Sequence, residues 1–85
     1  MNKYFALRKT NRMRTKLLTE ESQAQLKEVI RYLRRVSWDF CGIELVRSDL
    51  LDIAIQANKE NQELFHSISD AKTFVEEVKP RLKTL

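Results

Sequence analysis

Two potentially reactive side chains occur once each in the 85 residues, Cys41 and His66. A thiol and an imidazole brought together make a nucleophile and its base, but that chemistry needs a third group to orient the base, and no motif supplies one. Two small core residues account for them more simply, so no catalytic residue is expected and the chain reads as a non-enzyme. A lone cysteine closes no internal disulfide and builds no cysteine-based metal cluster within one chain. Glu63-Leu64-Phe65-His66 is a Glu-x-x-His, a spacing that on a helix turns carboxylate and imidazole to one face. Carboxylate-bridged metal bundles use two such pairs and two further glutamates. Only one is present, so neither a metal nor any other cofactor is expected. Glu63 reads as solvated, and His66 as a surface or half-buried neighbour of Leu64 and Phe65.

The basic residues invite a ligand more strongly. Residues 1–37 hold ten basic and three acidic side chains, a net +7, whereas residues 38–85 hold six and nine, a net −3. At 100° per residue, Arg8, Lys9, Arg12 and Lys16 gather on one side of a first helix, and Arg31, Arg34 and Arg35 on the next helix extend the patch. Such a surface suits the phosphate backbone of a nucleic acid, although no helix-turn-helix signature or base-reading segment accompanies it. Pairing with Asp49, Asp52 and Glu60 of the third helix accounts for the same basic side chains structurally. A lipid surface fits less well, because the apolar side of the first helix is thin. The leading expectation is therefore a non-catalytic regulatory or protein-interaction module, self-association included, with nucleic-acid binding as the alternative. Leu45, Leu51 and Ile55 read as apolar positions left over for such a contact.

These residues have to be positioned by helices. Glycine and proline occur once each, at Gly42 and Pro80, and 42% of the chain is hydrophobic. With the two strongest local breakers so rare, an all-α fold follows: one compact domain over residues 1–85, with four helices at about 3–18, 19–41, 43–61 and 69–79. In the first, Ala6, Leu7, Met13, Leu17 and Leu18 share a broad apolar side. Thr19 before Glu20-Glu21-Ser22 is a cap and acidic first turn for the second. Leu26, Val29, Ile30, Leu33, Val36 and Phe40 then recur at spacings of three and four, and Gly42 is placed to end that helix in the left-handed conformation. The third starts after the glycine or at Ser48, with Ile43, Val46, Leu50, Ile53, Ala54 and Ala57 inward and Leu51 and Ile55 widening that face to about half the circumference. Leu64, Phe65 and Ile68 fall in a short helical turn or docked loop near 62–68. Ser69 or Asp70 opens the last helix, Phe74, Val75 and Val78 face inward, and Pro80 ends or kinks it at Lys79. Trp38 and Phe40 are placed at a helix end, against the core or as a protein contact. No apolar run is long enough for a membrane crossing or a secretion signal, which predicts a cytoplasmic protein.

Several blocks carry a family resemblance. They are Arg12 to Leu18, then Leu26-Lys27-Glu28-Val29-Ile30-Arg31-Tyr32-Leu33 with its Ile-x-Tyr-Leu ending. Asp49-Leu50-Leu51-Asp52-Ile53 through Glu63-Leu64-Phe65 follows, and then Ser69-Asp70-Ala71-Lys72-Thr73-Phe74-Val75-Glu76-Glu77-Val78. Over residues 8–78 the chain resembles a small bacterial all-helical family of unknown function, often encoded beside PadR-type transcription regulators and sometimes labelled ferritin-like. More loosely, it resembles helical domains on the cytoplasmic side of bacterial membrane proteins. Thr19 stands where the family tends to have proline, and Asn58-Lys59-Glu60-Asn61 where it tends to have a glycine. The resemblance implies a compact helical fold and no defined activity.

Overall fold

Thr19 is a helix cap, as its hydroxyl predicts: its Oγ1 accepts a hydrogen bond from the Ser22 amide at 3.2 Å and satisfies one of the free donors at a helix start. The computed structural model describes residues 3–83, and among them four α-helices and no strand form. They are α1 Lys3–Thr15, α2 Glu20–Val36, α3 Phe40–Lys59 and α4 Ile68–Val78, followed by a 3-10 turn over Lys79–Arg81 that contains Pro80. Ser67 caps α4, its hydroxyl accepting from the Asp70 amide, two residues ahead of the Ser69 start expected from sequence.

The boundary between α2 and α3 is not at Gly42. Helix α2 stops at Val36, Ser37 is extended, and Asp39 caps α3 by accepting the Gly42 amide at 3.0 Å. Gly42 therefore lies in the first turn of α3, and no glycine has a positive φ. What position 42 requires is room. A Cβ there would stand 2.6 Å from Asp39 Oδ2 and 2.7 Å from Leu82 Cδ2. Phe40 opens α3 exposed instead of continuing the inner face of α2, and Ser48 lies inside α3. The left-handed position is Asn61, at φ 61°, just beyond the end of α3. Asparagine is among the few side chains that adopt it readily.

Hydrogen bonds fix the helix directions. Asn11 reaches Glu44, Arg14 reaches Ser48 and Asp52, and Thr19 reaches Asn58, so α1 and α3 run the same way. Gln25 pairs with the backbone of Phe65, and Tyr32 lies under Lys79, so α2 and α4 also run the same way. The principal packing is α1 on α3, α3 on α2, and α2 on α4. The result is a flattened bundle with Cα extents of 35 × 32 × 15 Å. Its core is Leu26, Val29, Ile30 and Leu33 of α2, Ile43, Val46, Leu50, Leu51 and Ala54 of α3, and Val75 and Val78 of α4, joined by Leu18, Leu64 and Leu82. The residues 62–67 form no helix and dock as a loop through Leu64 and half-buried Phe65.

Several side chains fall elsewhere than their spacing indicates. Met13 and Leu17 are 62% and 71% exposed, and the one fully enclosed side chain of α1 is Asn11. Ile53 faces solvent, whereas Leu51 is fully buried and Ile55 packs against the core. A 100° wheel assigns a face from one helix alone. In a flattened bundle α3 is covered on two sides, by α1 and α2, and its buried arc is set by both.

Candidate functional site

A groove of about 720 Å³ opens between α1 and α2. Thr15 of α1 forms one wall, α2 supplies most of the lining from Glu20 to Arg35, and Arg47 reaches in from α3. Its apolar lining is exposed Ala24 and the edges of Leu26 and Ile30, each only 3% exposed. Around these stand Lys27, Arg31, Arg34, Arg35 and Arg47, against the one acid Glu20. Positions 27, 31, 34 and 35 follow helical spacing, which places their cations in a row along one side of α2.

Arg47 is the fixed member of this set. Its side chain is only 20% exposed and lies 3.7 Å from Glu44, whose own side chain is 2% exposed. Asn11 Nδ2 donates to Glu44 Oε2 and to the Glu44 carbonyl, both at 3.0 Å. A buried amide from α1, a buried carboxylate and a half-buried guanidinium thus form one polar seam where α1 meets α3. The seam is incompletely satisfied: Asn11 Oδ1, Glu44 Oε1 and Arg47 Nε have no hydrogen-bond partner. Burial lowers the Arg47 pKa. The Glu44 charge acts the other way, while Arg34 and then Arg8 add to the lowering. Cations from all three helices therefore feel one another here, and a buried cation with too little counter-charge is a position an incoming anion stabilises.

The basic residues singled out from sequence divide into two sets. Arg31, Arg34 and Arg35 line the groove, and Arg8 sits near enough to Arg47 for its charge to act there. Lys9 and Arg12 are exposed on α1, Lys16 is exposed beyond its end because α1 stops at Thr15 and not near residue 18, and none of the three lines the groove. Of the expected pairings with acids of α3, Arg14 bonds Asp52, while Asp49 is 3.6 Å from Arg81 instead. Lys27 and Arg47 escaped the sequence reading. For Arg47 a signal was present: Glu44, Arg47, Leu51 and Ala54 share one helical stripe, so two charges interrupt an apolar face.

The Glu-x-x-His pair serves a different purpose. Glu63 accepts hydrogen bonds from the hydroxyls of Ser22, at 2.6 Å, and Thr19. Ser22 Oγ in turn accepts from Asn58 Nδ2 and the Leu64 amide, at 3.0 and 3.1 Å. This knot ties the start of α2 to the end of α3 and to the loop before α4. The Ser22 and Thr19 hydroxyls hold the Glu63 carboxyl below the usual carboxylate range. His66 and Cys41 are exposed. Among the described residues no group of three or more His, Cys, Asp or Glu side chains is arranged to hold a metal, and no helix is long and apolar enough to cross a membrane. Trp38 and Phe40 are exposed, Trp38 lying beneath the Lys83 ammonium at 5.5 Å. Comparison with family models, curated proteins and solved structures finds no match.

Proposed function

We propose that this chain is a non-catalytic interaction module that receives an anionic partner in the groove between α1 and α2. The single observation that carries the reading is the groove itself, whose lining holds five cations and one acid, with Arg31 paired to Glu28 and Arg47 to buried Glu44 and Lys27, Arg34 and Arg35 beside them. Affinity for polyanions should fall steeply with salt, because exposed charges are screened within about 10 Å at 0.1 M ionic strength.

The second reading is binding to a nucleic-acid backbone through Arg8, Lys9, Arg12 and Lys16, continued by Arg31, Arg34 and Arg35. What favours it is continuity of charge, since Arg8 of α1 acts on the same guanidinium as Arg34 of α2. One titration tests both. Fluorescent polyglutamate and a random-sequence oligonucleotide are titrated at low and moderate salt against the wild type, a groove variant (Arg34→Glu with Arg35→Glu) and an α1 variant (Lys9→Glu with Arg12→Glu). Loss of binding confined to the groove variant supports the anionic-partner reading. Loss in both variants with the oligonucleotide alone supports the nucleic-acid reading, and no binding to either polymer at low salt removes both.

A further inference from the structure

The groove has a shape and a pattern, besides its sign. Its lining on α2 runs from Glu20 to Arg35, about 22 Å at 1.5 Å per residue, which is the length of an α-helix of roughly 15 residues. The apolar part of the lining is narrow, exposed Ala24 with the edges of nearly buried Leu26 and Ile30, and Lys27, Arg31 and Arg34 rise beside it at spacings of four and three. A long channel with an apolar strip and a parallel row of cations fits a helix that carries both kinds of side chain in register. A phosphate backbone would use the cations alone and leave the apolar part of the lining uncovered, and the lining has no aromatic side chain on which an unpaired base could stack.

Resting on the anionic-partner reading above, we propose that the occupant is an acidic amphipathic helix of a protein partner. It lies along α2, its apolar side on Ala24 and Ile30 and its carboxylates toward Lys27, Arg31 and Arg34. The ends of the groove also differ. Glu20 stands at one, and Arg34 and Arg35, with Arg47 facing them, at the other. A helix carries partial positive charge at its N-terminus and partial negative charge at its C-terminus. The bound helix therefore runs parallel to α2, with its acids concentrated toward its C-terminal half.

The test uses the full chain and four labelled probes, read by fluorescence anisotropy and circular dichroism. The first is a synthetic 15-residue peptide with leucines at helical spacing and glutamates concentrated in its C-terminal half. The second is the same sequence written in reverse, the third a scrambled peptide of equal composition, and the fourth a 15-nucleotide DNA of equal charge. Expected are tighter binding of the first peptide than the scrambled one by about tenfold or more, equivalent to about 1.4 kcal/mol, and a gain of helical signal on binding. The reversed peptide should bind more weakly than the first. Arg31→Glu with Arg34→Glu, both exposed in the free chain, should abolish the preference while leaving the chain's own helical signal unchanged.

Equal binding of ordered and scrambled peptides, or binding of the DNA but of neither peptide, overturns the helical occupant and leaves the anionic-partner reading standing. Failure of every probe to bind at low salt overturns both. Sedimentation of the chain alone covers the remaining occupant: a concentration-dependent oligomer that the first peptide does not dissociate assigns the groove to a second copy of the chain and overturns the proposal.

Discussion

Helix α3 is held on its two sides by opposite means. Toward α2 it packs through Leu33, Leu50 and their neighbours, side chains with no polar atoms to satisfy. Toward α1 the buried groups are Asn11 and Glu44, with Arg14 bonding Ser48 and Asp52 nearby. Burial of apolar surface is tolerant of direction, so the first contact sets how stable the fold is. The second is a set of directed bonds between partly unsatisfied groups, so it sets where α1 sits and contributes little net stability. The groove wall formed by α1 is thus the less firmly attached part of the molecule, and the wall formed by α2 belongs to the core.

The largest effect expected from this contrast is at Leu50, which has no exposed surface. Leu50→Ala should lower unfolding free energy by about 2–5 kcal/mol, seen as a shifted urea midpoint reported equally by all helices. Glu44→Ala removes the acceptor of Asn11 and the counter-charge of Arg47, at a cost of about 1–3 kcal/mol. Hydrogen exchange should place that loss in α1, with the amides of α2 and α3 retaining protection; equal loss throughout would dissolve the contrast. Glu44→Gln should cost less, since an amide keeps an acceptor for Asn11 Nδ2 and offers a donor to the unpartnered Asn11 Oδ1.

A third effect depends on pH. Glu63 is held ionised in the folded state by Ser22 and Thr19. Its stabilisation is complete above about pH 4.3, the unfolded-chain value, and is lost as pH falls through the lowered folded value. Glu63→Gln should therefore flatten the acid side of a stability-versus-pH curve; an unchanged slope would remove the knot from the account. Smallest of all is Met13→Glu on the outer side of α1, expected to change stability by no more than about 0.5 kcal/mol. A larger loss would mean that α1 has an apolar seat after all.

Much of the apolar half of this contrast was legible in the sequence. Leu26, Val29, Ile30 and Leu33 repeat at helical spacing because α3 and α4 cover one continuous face of α2, and all four are buried. The polar half was not. Met13 and Leu17 resemble a thin apolar stripe, whereas α1 turns Asn11 inward because Glu44 awaits it 33 residues away. The end of α2 was hidden in the same way. Phe40 falls four residues after Val36 and continues the period, but Ser37 accepts from the Asp39 amide and donates to the Lys83 carbonyl, 46 residues distant. Helix periodicity records contacts between regular surfaces, and these breaks are made by single side chains meeting distant backbone. In the groove, the arginines of α2 were visible as a run, while Lys27 and Arg47 needed the third dimension to join them.

The 15 Å thickness of the bundle has a consequence in surface area. The chain exposes 5951 Å², whereas a monomeric globular protein of 10.1 kDa exposes on the order of 5300 Å² by the usual mass scaling. The excess is several hundred square ångströms. A stable protein interface takes about 800 Å² from each partner. A chain this flat thus carries nearly one interface's worth of area beyond what a rounded fold of its mass would show, and association would bring its exposed surface per dalton back toward the ordinary range.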